Sequence, residues 1–346
     1  MSELERNTND DGKPMTTYSY GVLLPHFGTY AERDRLLDGA QTIERYGFDS
    51  VWVRDHVIFH PHAHEDQNLT HVDPFVTLSA IAAKTERITL GFGTLIPHRH
   101  PIHAALLLGS LEFIAGPGRV LAAWGIGGAP PEFDAIGMAG WDRREVLEEQ
   151  VAIMRRLWAG EKVDHNGKYY NFNDVAISPV PVRGSIPLWY GGTSRAAVRR
   201  AVEYCDGWIP GRTPRRDYEL LVKRMRRLAE EAGKAVPHTG TIPLVSPAKT
   251  VEMGAKYADI DRLAEEMQHF GFITPPSGGF STAADFDGAL MAGPPEVIVE
   301  EVRKHQAAGS EHMVFDLRQR FSQWEECLAA LGEEILPELH RGDGRN

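Results

Sequence analysis

Glycines and hydroxyl residues directly follow short apolar runs at several points of the chain, where they can bind a phosphate or a flat ring. Gly191-Gly192-Thr193-Ser194 follows Leu188-Trp189-Tyr190 and precedes a helical pattern that starts near Arg195. Two glycines let backbone N–H groups approach a ligand closely, and a helix N-terminus adds donors and partial positive charge. This segment predicts a phosphate cradle; the alternative is a tight turn followed by an ordinary helix N-cap.

A second glycine run, Gly125-Ile126-Gly127-Gly128, follows the apolar segment Val120–Trp124. It is not the dinucleotide fingerprint GxGxxG, because Pro130 stands where the last glycine is required. We interpret these glycines as letting the backbone pass close to a flat ligand, with a flexible strand-to-loop turn as the alternative.

Asp55-His56 ends another apolar segment, Ser50–Val53. Histidine can act as a general base near neutral pH, and an adjacent carboxylate can tune it. The alternative is a structural histidine with Asp55 capping a loop.

Two further loops are rich in histidine, a residue that also binds metals. These histidines are His60, His62, His64, His98, His100 and His103. The first three lie in a polar, proline-containing loop that is typical of solvated surface, so we predict no metal site.

The composition predicts a soluble enzyme with small-molecule partners. The chain has 346 residues and a formal net charge of −11, which fits one large α/β domain and lacks the basic patch that nucleic-acid binding requires. Two distant cysteines favour a reducing cytoplasm over a disulfide framework. No apolar run is long enough to span a membrane, and Met1–Thr17 is too polar for a signal peptide, so we expect a disordered tail.

Strand-like and helix-like segments alternate along residues 18–339, which predicts a single (β/α)8 TIM barrel. The eight predicted strands are Tyr18–Leu24, Ser50–Val53, Ile88–Phe92, Val120–Trp124, Ile186–Tyr190, Gly207–Ile209, Thr239–Val245 and His312–Phe315. In such a barrel the carboxyl ends of the strands share one face, so the glycine runs and Asp55-His56 meet there.

Two segments interrupt this alternation. Lys162–Asp174 reads as a small hairpin around the turn signal Asn166-Gly167. Ser246–Gly293, between the seventh and eighth strands, has one helix pattern at Asp259–Phe270 and is otherwise rich in Pro, Gly and Ser. We predict that Ser246–Gly293 is a mobile insertion over the barrel mouth.

Taken together, these patterns resemble the bacterial luciferase-like monooxygenase superfamily of flavin- and F420-dependent enzymes. The resemblance covers roughly Tyr18–Pro210 and, more loosely, Gly293–Leu317. The segments that carry it are Gly47–His56, Arg87–Thr94, Gly116–Val120 with Gly125-Ile126-Gly127 and Glu132-Phe133, and Ile186–Ser194 with Asp206-Gly207-Trp208.

The resemblance implies a cofactor site at the carboxyl face of the barrel. Thr94 would lie beside the ring system, at a position where the family often has a non-prolyl cis peptide. Gly125, Ile126 and Gly127 would face the ring or its polyol chain. The implied phosphate ligands are Gly191, Gly192, Thr193 and Ser194. His56 would contact cofactor or act in acid–base chemistry, and Asp55 would join the cofactor site.

The function that the resemblance implies is a monooxygenase that oxidises a small organic substrate with O2 and reduced FMN. A separate flavin reductase would supply the FMN, and the protein would be a homodimer. The main alternative is an oxidoreductase that transfers hydride to or from coenzyme F420. More distant alternatives are a metal-dependent barrel hydrolase and a non-catalytic flavin-binding protein. Residues 246–293 have no aligned counterpart, so the substrate is left open.

Overall fold

The computed structural model describes residues 18–58 and 72–344. Strands in this part of the chain are, in order, β1 (Ser19–Leu23), β2 (Ser50–Val53), β3 (Thr89–Leu95), β4 (Val120–Trp124), β5 (Val163–Asn166), β6 (Asn171–Val175), β7 (Leu188–Tyr190), β8 (Gly207–Trp208), β9 (His238–Thr241), β10 (Leu244–Pro247), β11 (Leu290–Gly293) and β12 (His312–Asp316). The α-helices are α1 (Arg33–Tyr46), α2 (Pro74–Ala82), α3 (Pro101–Ala115), α4 (Pro130–Ala135), α5 (Arg143–Trp158), α6 (Arg195–Tyr204), α7 (Arg215–Glu231), α8 (Val251–Lys256), α9 (Ile260–His269), α10 (Pro295–Ala307), α11 (Trp324–Ala329) and α12 (Leu336–Gly342).

Eight of these strands form a closed parallel barrel within the described residues. The neighbours run β1, β2, β3, β4, β7, β8, β9 and β12, and β12 pairs back to β1 from Ser19 with His312 to Leu23 with Asp316. The predicted (β/α)8 barrel, with an insertion between its seventh and eighth strands, is confirmed.

Large aromatic side chains fill the interior of the barrel. The indoles of Trp52 and Trp189 each lie against the ring of His312, at centroid distances of 5.5 and 5.8 Å. Neighbouring strands carry glycine where these rings lie: a Cβ on Gly91 would stand 2.4 Å from Trp52, and one on Gly207 would stand 2.5 Å from Trp189. The barrel is therefore a packed core, and a ligand has room only at the ends of the strands.

Local signals account for several helix boundaries. The Asp73 carboxylate accepts hydrogen bonds from the N–H groups of Phe75 and Val76 at the start of α2, where Pro74 is the first helical residue. These bonds satisfy donors that a helix leaves unpaired, and proline fits there because it has no N–H to lose. At the other end of α1, Gly47 adopts a left-handed conformation, φ 95°, as a C-cap.

Three predicted elements differ in detail. The seventh strand, predicted as Thr239–Val245, is divided into β9 and β10 because Pro243 has no N–H for the sheet ladder. The hairpin β5–β6 is present, but Asn166 pairs with Asn171, so its loop is four residues long rather than two. The Glu149 carboxylate stabilises this longer loop by accepting hydrogen bonds from the N–H groups of Tyr169 and Tyr170.

The insertion Ser246–Gly293 contains more regular structure than its sequence pattern indicates. It begins within β10 and ends with β11, which pair in parallel, and α8 precedes the predicted helix α9. Apolar residues of the insertion form a separate small core together with Leu244 of β10: Ala258, Leu263, Met267, Phe272, Phe280, Phe286, Ala289, Leu290 and Ala292. Its mobility stays a prediction.

The chain ends bear on two further expectations. The predicted tail Met1–Thr17 lies outside the described residues. At the other end the last helix continues past residue 339 to Gly342, because Leu339 packs into the core with 1% of its surface exposed. Cys205 and Cys327 are both free thiols. Among the described residues, no helix combines the length and apolar character needed to cross a membrane.

Candidate active site

Two predicted site segments, at the ends of β4 and β7, approach Thr94 at the carboxyl end of β3. A Cβ on Gly125 would stand 2.6 Å from Thr94 Oγ1, and a Cβ on Gly191 would stand 2.6 Å from Thr94 Cγ2. The ends of β4 and β7 can thus approach β3 only because both positions are glycine. The Gly191 N–H donates to the Trp124 carbonyl at 2.7 Å, and the peptide bond between Gly93 and Thr94 is cis, as the resemblance implies.

A cavity of about 690 Å³ opens beside Thr94. Most of its wall comes from the carboxyl ends of the barrel strands, and α9 of the insertion forms one side. The lining residues are Leu23, Arg54, Gly93, Thr94, Gly191, Gly192, Ile209, Gly211, Arg212, Ile242, Arg262, Glu265, Glu266, His269, Phe270 and Arg318. Helix α9 and Phe270 of the insertion therefore lie beside the carboxyl ends of the barrel strands, and a lid function of the insertion stays a prediction.

The segment Gly191–Ser194 leads from this cavity into the N-terminus of α6. Gly192 has a φ of 108°, which a residue with a side chain rarely adopts, and its carbonyl accepts the Trp208 indole N–H at 2.9 Å. Ser194 is the N-cap, its hydroxyl accepting the Ala197 N–H at 3.1 Å. Thr193 is half-buried between them. A backbone turn that ends on a helix N-terminus can hold a phosphate.

The other two predicted glycine-run residues lie farther along the loop after β4. Gly127 has a φ of 72°, and a Cβ there would stand 2.8 Å from Ile96. Its carbonyl accepts a hydrogen bond from Arg143 at 2.6 Å. Ile126 is partly buried against the main core. Gly125 is thus the glycine of this segment that lies against Thr94, whereas Gly127 lies against Ile96 and Phe133.

His56 lies at the end of β2, where it contacts a carboxylate other than the one beside it in sequence. Its Nδ1 is 3.0 Å from Glu132 Oε1, and Glu132 is completely buried. The same oxygen accepts the Val57 N–H at 3.1 Å. Burial alone would raise the pKa of Glu132, but these hydrogen bonds, with His56 contributing most, hold it below its usual value.

Asp55 is turned away from His56. Its Oδ2 accepts hydrogen bonds from the Ile96 N–H at 3.0 Å and from Arg99 at 2.5 Å. Asp55 is 1% exposed and does not belong to the cavity wall. The carboxylate therefore fixes the loop that follows β3, the loop-stabilising role that the sequence offers as its alternative.

The charged residues of the cavity wall come in equal number from strand ends that the glycine motifs do not mark and from α9. Arg212, after β8, donates to Glu266 of α9 at 2.6 Å. Arg318, after β12, donates to the buried Asp316 at 2.6 Å. The guanidinium of Arg54 lies 3.8 Å from the centre of the Phe27 ring. The strand-end rule that selects Thr94 also applies to Arg54, Arg212 and Arg318, whereas the sequence places the insertion over the barrel mouth without indicating which residues of α9 face the cavity.

The histidine-rich loops provide no metal centre among the residues that the structure describes. His60, His62 and His64 lie outside those residues. His98 is buried with Nε2 3.9 Å from Asp55, and His100 caps α3 by accepting the Ile102 N–H. Within 18–58 and 72–344, no three His, Cys, Asp or Glu side chains are grouped so that they could hold a metal ion.

Residues 17–312 match the luciferase-like monooxygenase family. An F420-dependent glucose-6-phosphate dehydrogenase from Microbacterium testaceum is 29% identical over 331 residues, 89% of this chain and 94% of the relative. Two solved structures share the fold over 93% of this chain and 99% of their own. One is an F420-dependent secondary alcohol dehydrogenase in complex with an F420-acetone adduct, with a TM-score of 0.75 and 21% identity.

The other is a type II Baeyer-Villiger monooxygenase, the oxygenating constituent of 3,6-diketocamphane monooxygenase from Pseudomonas putida, in complex with FMN. Its TM-score is 0.74 and its identity 18%. At such identities the two solved structures establish the likeness of fold alone. The match over residues 17–312 decides the family: the chain belongs to the luciferase-like monooxygenases and is an oxidoreductase.

Proposed function

We propose that this oxidoreductase uses coenzyme F420 and transfers hydride between that cofactor and a hydroxyl-bearing small molecule. The observation that carries the proposal is the similarity, over nearly the full length of both chains, to the F420-dependent dehydrogenase of Microbacterium testaceum. This favours the alternative of the sequence analysis over the FMN monooxygenase.

The residues at the barrel mouth suit a cofactor with a flat ring and a phosphate. Gly93, Thr94 and Gly191 give the cavity a wall made largely of backbone, against which a ring can lie. Gly192, Thr193 and Ser194 would hold the phosphate through N–H groups at the start of α6. F420 and FMN share both features, so this geometry supports either cofactor.

When bound, F420 supplies the acceptor or donor of the hydride. The chain would bind and orient the cofactor and substrate, and α9 would keep water from the reacting atoms. Loss of hydride from an alcohol carbon also releases the hydroxyl proton, which needs a base nearby. We assign this proton to His56, which follows the cavity-lining Arg54 by two residues but is not itself one of the lining residues.

An anaerobic turnover assay tests this function. The protein is incubated with oxidised F420 and a panel of alcohols that includes sugar phosphates, and the loss of F420 absorbance is followed. We expect substrate-dependent loss without O2. If F420 stays unreacted throughout while O2 is consumed with FMN and an added flavin reductase, the monooxygenase is the correct function and F420 is not the cofactor.

A further inference from the structure

We propose that Glu132 is the positioning residue of His56: its buried carboxylate keeps the imidazole hydrogen on Nδ1 and leaves Nε2 as the proton-accepting atom. The assignment of a proton-transfer role to His56 rests on the proposed function. The effect of Glu132 on the imidazole does not, and the two are tested separately below.

When the Glu132 carboxylate is ionised, its hydrogen bond with His56 fixes which ring nitrogen carries the hydrogen. An ionised carboxylate only accepts hydrogen bonds, so the His56 nitrogen 3.0 Å from its Oε1 must carry the hydrogen. The Val57 N–H, which donates to the same oxygen, fixes the backbone beside the ring. One carboxylate thus controls both the orientation and the tautomer of the imidazole, as in other histidines that a second residue orients.

The surroundings keep Glu132 ionised. Glu132 lies on α4 with no exposed surface, next to Phe133, which is also buried. The hydrogen bonds from His56 and Val57 outweigh this burial and hold the pKa of the carboxyl below its usual value. Donors that reach a buried carboxylate favour its charged form.

The other charged groups that the structure describes near His56 make different contacts. Asp55 is bonded to Arg99 and to the Ile96 N–H, so its Oδ2 is already paired. His98 is fully enclosed, and burial lowers its pKa, which keeps its ring neutral at pH 7. The carboxylate that orients His56 therefore comes from α4, 76 residues away in the sequence.

The test is the tautomer of His56 in protein with 15N-labelled histidine. Long-range 1H–15N spectra at pH 8 distinguish a hydrogen on Nδ1 from one on Nε2, and His56→Gln identifies the His56 signals by their loss. We expect Nδ1–H in the unsubstituted protein. In Glu132→Gln, which keeps an oxygen for the Val57 N–H, we expect the two tautomers to be mixed. A hydrogen on Nε2 in the unsubstituted protein would overturn the proposal, whether or not the variant folds.

The chain offers a matched control in the pair formed by His165 and Glu149. Glu149 also accepts from a histidine ring, at 2.8 Å, and from two backbone N–H groups, but it lies on α5, its histidine belongs to the β5–β6 hairpin, and we assign this pair no part in proton transfer. If F420 turnover is found, Glu132→Gln should lower it about tenfold or more, part of what a positioned base contributes. Glu149→Gln should leave it unchanged, and F420 affinity should change little in either variant.

Equal turnover in the unsubstituted protein and Glu132→Gln would also overturn the positioning role. An absence of F420 turnover in the unsubstituted protein overturns the proposed function instead and leaves the tautomer measurement to decide on Glu132.

Discussion

A methyl group at Gly191 should push Thr94 out of its place in the cavity wall. In Gly191→Ala the new Cβ would stand 2.6 Å from Thr94 Cγ2 and 3.4 Å from the Trp124 carbonyl oxygen. Carbon atoms normally stay about 3.5 Å or more apart, and Thr94 is stiff because it is branched at Cβ. Overpacking of this kind costs about 1–3 kcal/mol, so we expect that loss in the free energy of unfolding.

Thr94→Ser removes the clashing methyl group and therefore gives a double-mutant cycle. Once Cγ2 is gone, the nearest Thr94 atom to the new methyl is Cβ at 3.7 Å, so Gly191→Ala should cost little in the Thr94→Ser background. Gly211→Ala is the control, because Gly211 lines the same cavity but a Cβ there meets no atom within 4 Å.

The assay is urea unfolding of the single and double variants, together with F420 titration of each. Gly191→Ala should also weaken F420 binding, because the displaced Thr94 enters the cavity. The reasoning is refuted if the effects of Gly191→Ala and Thr94→Ser are additive within about 0.5 kcal/mol, the agreement typical of independent sites.

Three further predictions concern stability, the insertion and assembly. Burial lowers the pKa of His312 from 6.5 to about 4. Between these two pH values His312 is protonated in the unfolded chain but neutral in the folded protein. The free energy of unfolding should therefore fall by on the order of 3 kcal/mol as the pH falls from 6.5 towards 4. In urea unfolding at several pH values, His312→Gln should remove this contribution and leave the slope from His26, whose pKa burial lowers to about 3. A slope unchanged by the substitution would contradict the assignment. Within residues 18–339, trypsin should cut the insertion 246–293 first. Cutting should be slower when F420 is bound and faster in Glu266→Ala, which loses the bond to Arg212. Cutting at the same rate as in the rest of the barrel would contradict a mobile lid. Phe113 at the end of α3 is 77% exposed beside Ile114, so we propose that this apolar surface joins two copies of the chain. Phe113→Glu should convert the dimer to a monomer in analytical ultracentrifugation. An unsubstituted protein that is monomeric at micromolar concentration would contradict this dimer.

The parts of the account that follow from sequence are those in which local residue types decide the structure. Gly191-Gly192 after an apolar run and before a helical pattern predicts a turn at a strand end, and the barrel then brings that turn to Thr94. The fold, the family and the convergence of these two segments were predictable for this reason. Arg212 and Arg318 follow strands in the same way, so the same rule could have included them.

The remaining features depend on contacts between distant segments. Asp55 is next to His56 in sequence, yet successive residues at a strand end point in different directions, and Glu132 from α4 is the carboxylate that reaches the imidazole. Nothing in the local pattern around Glu132 indicates this pairing. The strands β10 and β11 are four residues each and pair with each other across the insertion, so their pattern is too short to distinguish from a loop.

The affinity of the protein for F420 compared with FMN tests the central claim most directly. Both oxidised cofactors are titrated into the protein, with Gly192→Val as the control, because a valine is strained at the φ of 108° and would distort the phosphate cradle. We predict saturable F420 binding at least about tenfold tighter than FMN binding, a difference of ~1.4 kcal/mol, and weaker binding by the variant. FMN binding that is the tighter of the two, or F420 binding that Gly192→Val leaves unchanged, would contradict the account.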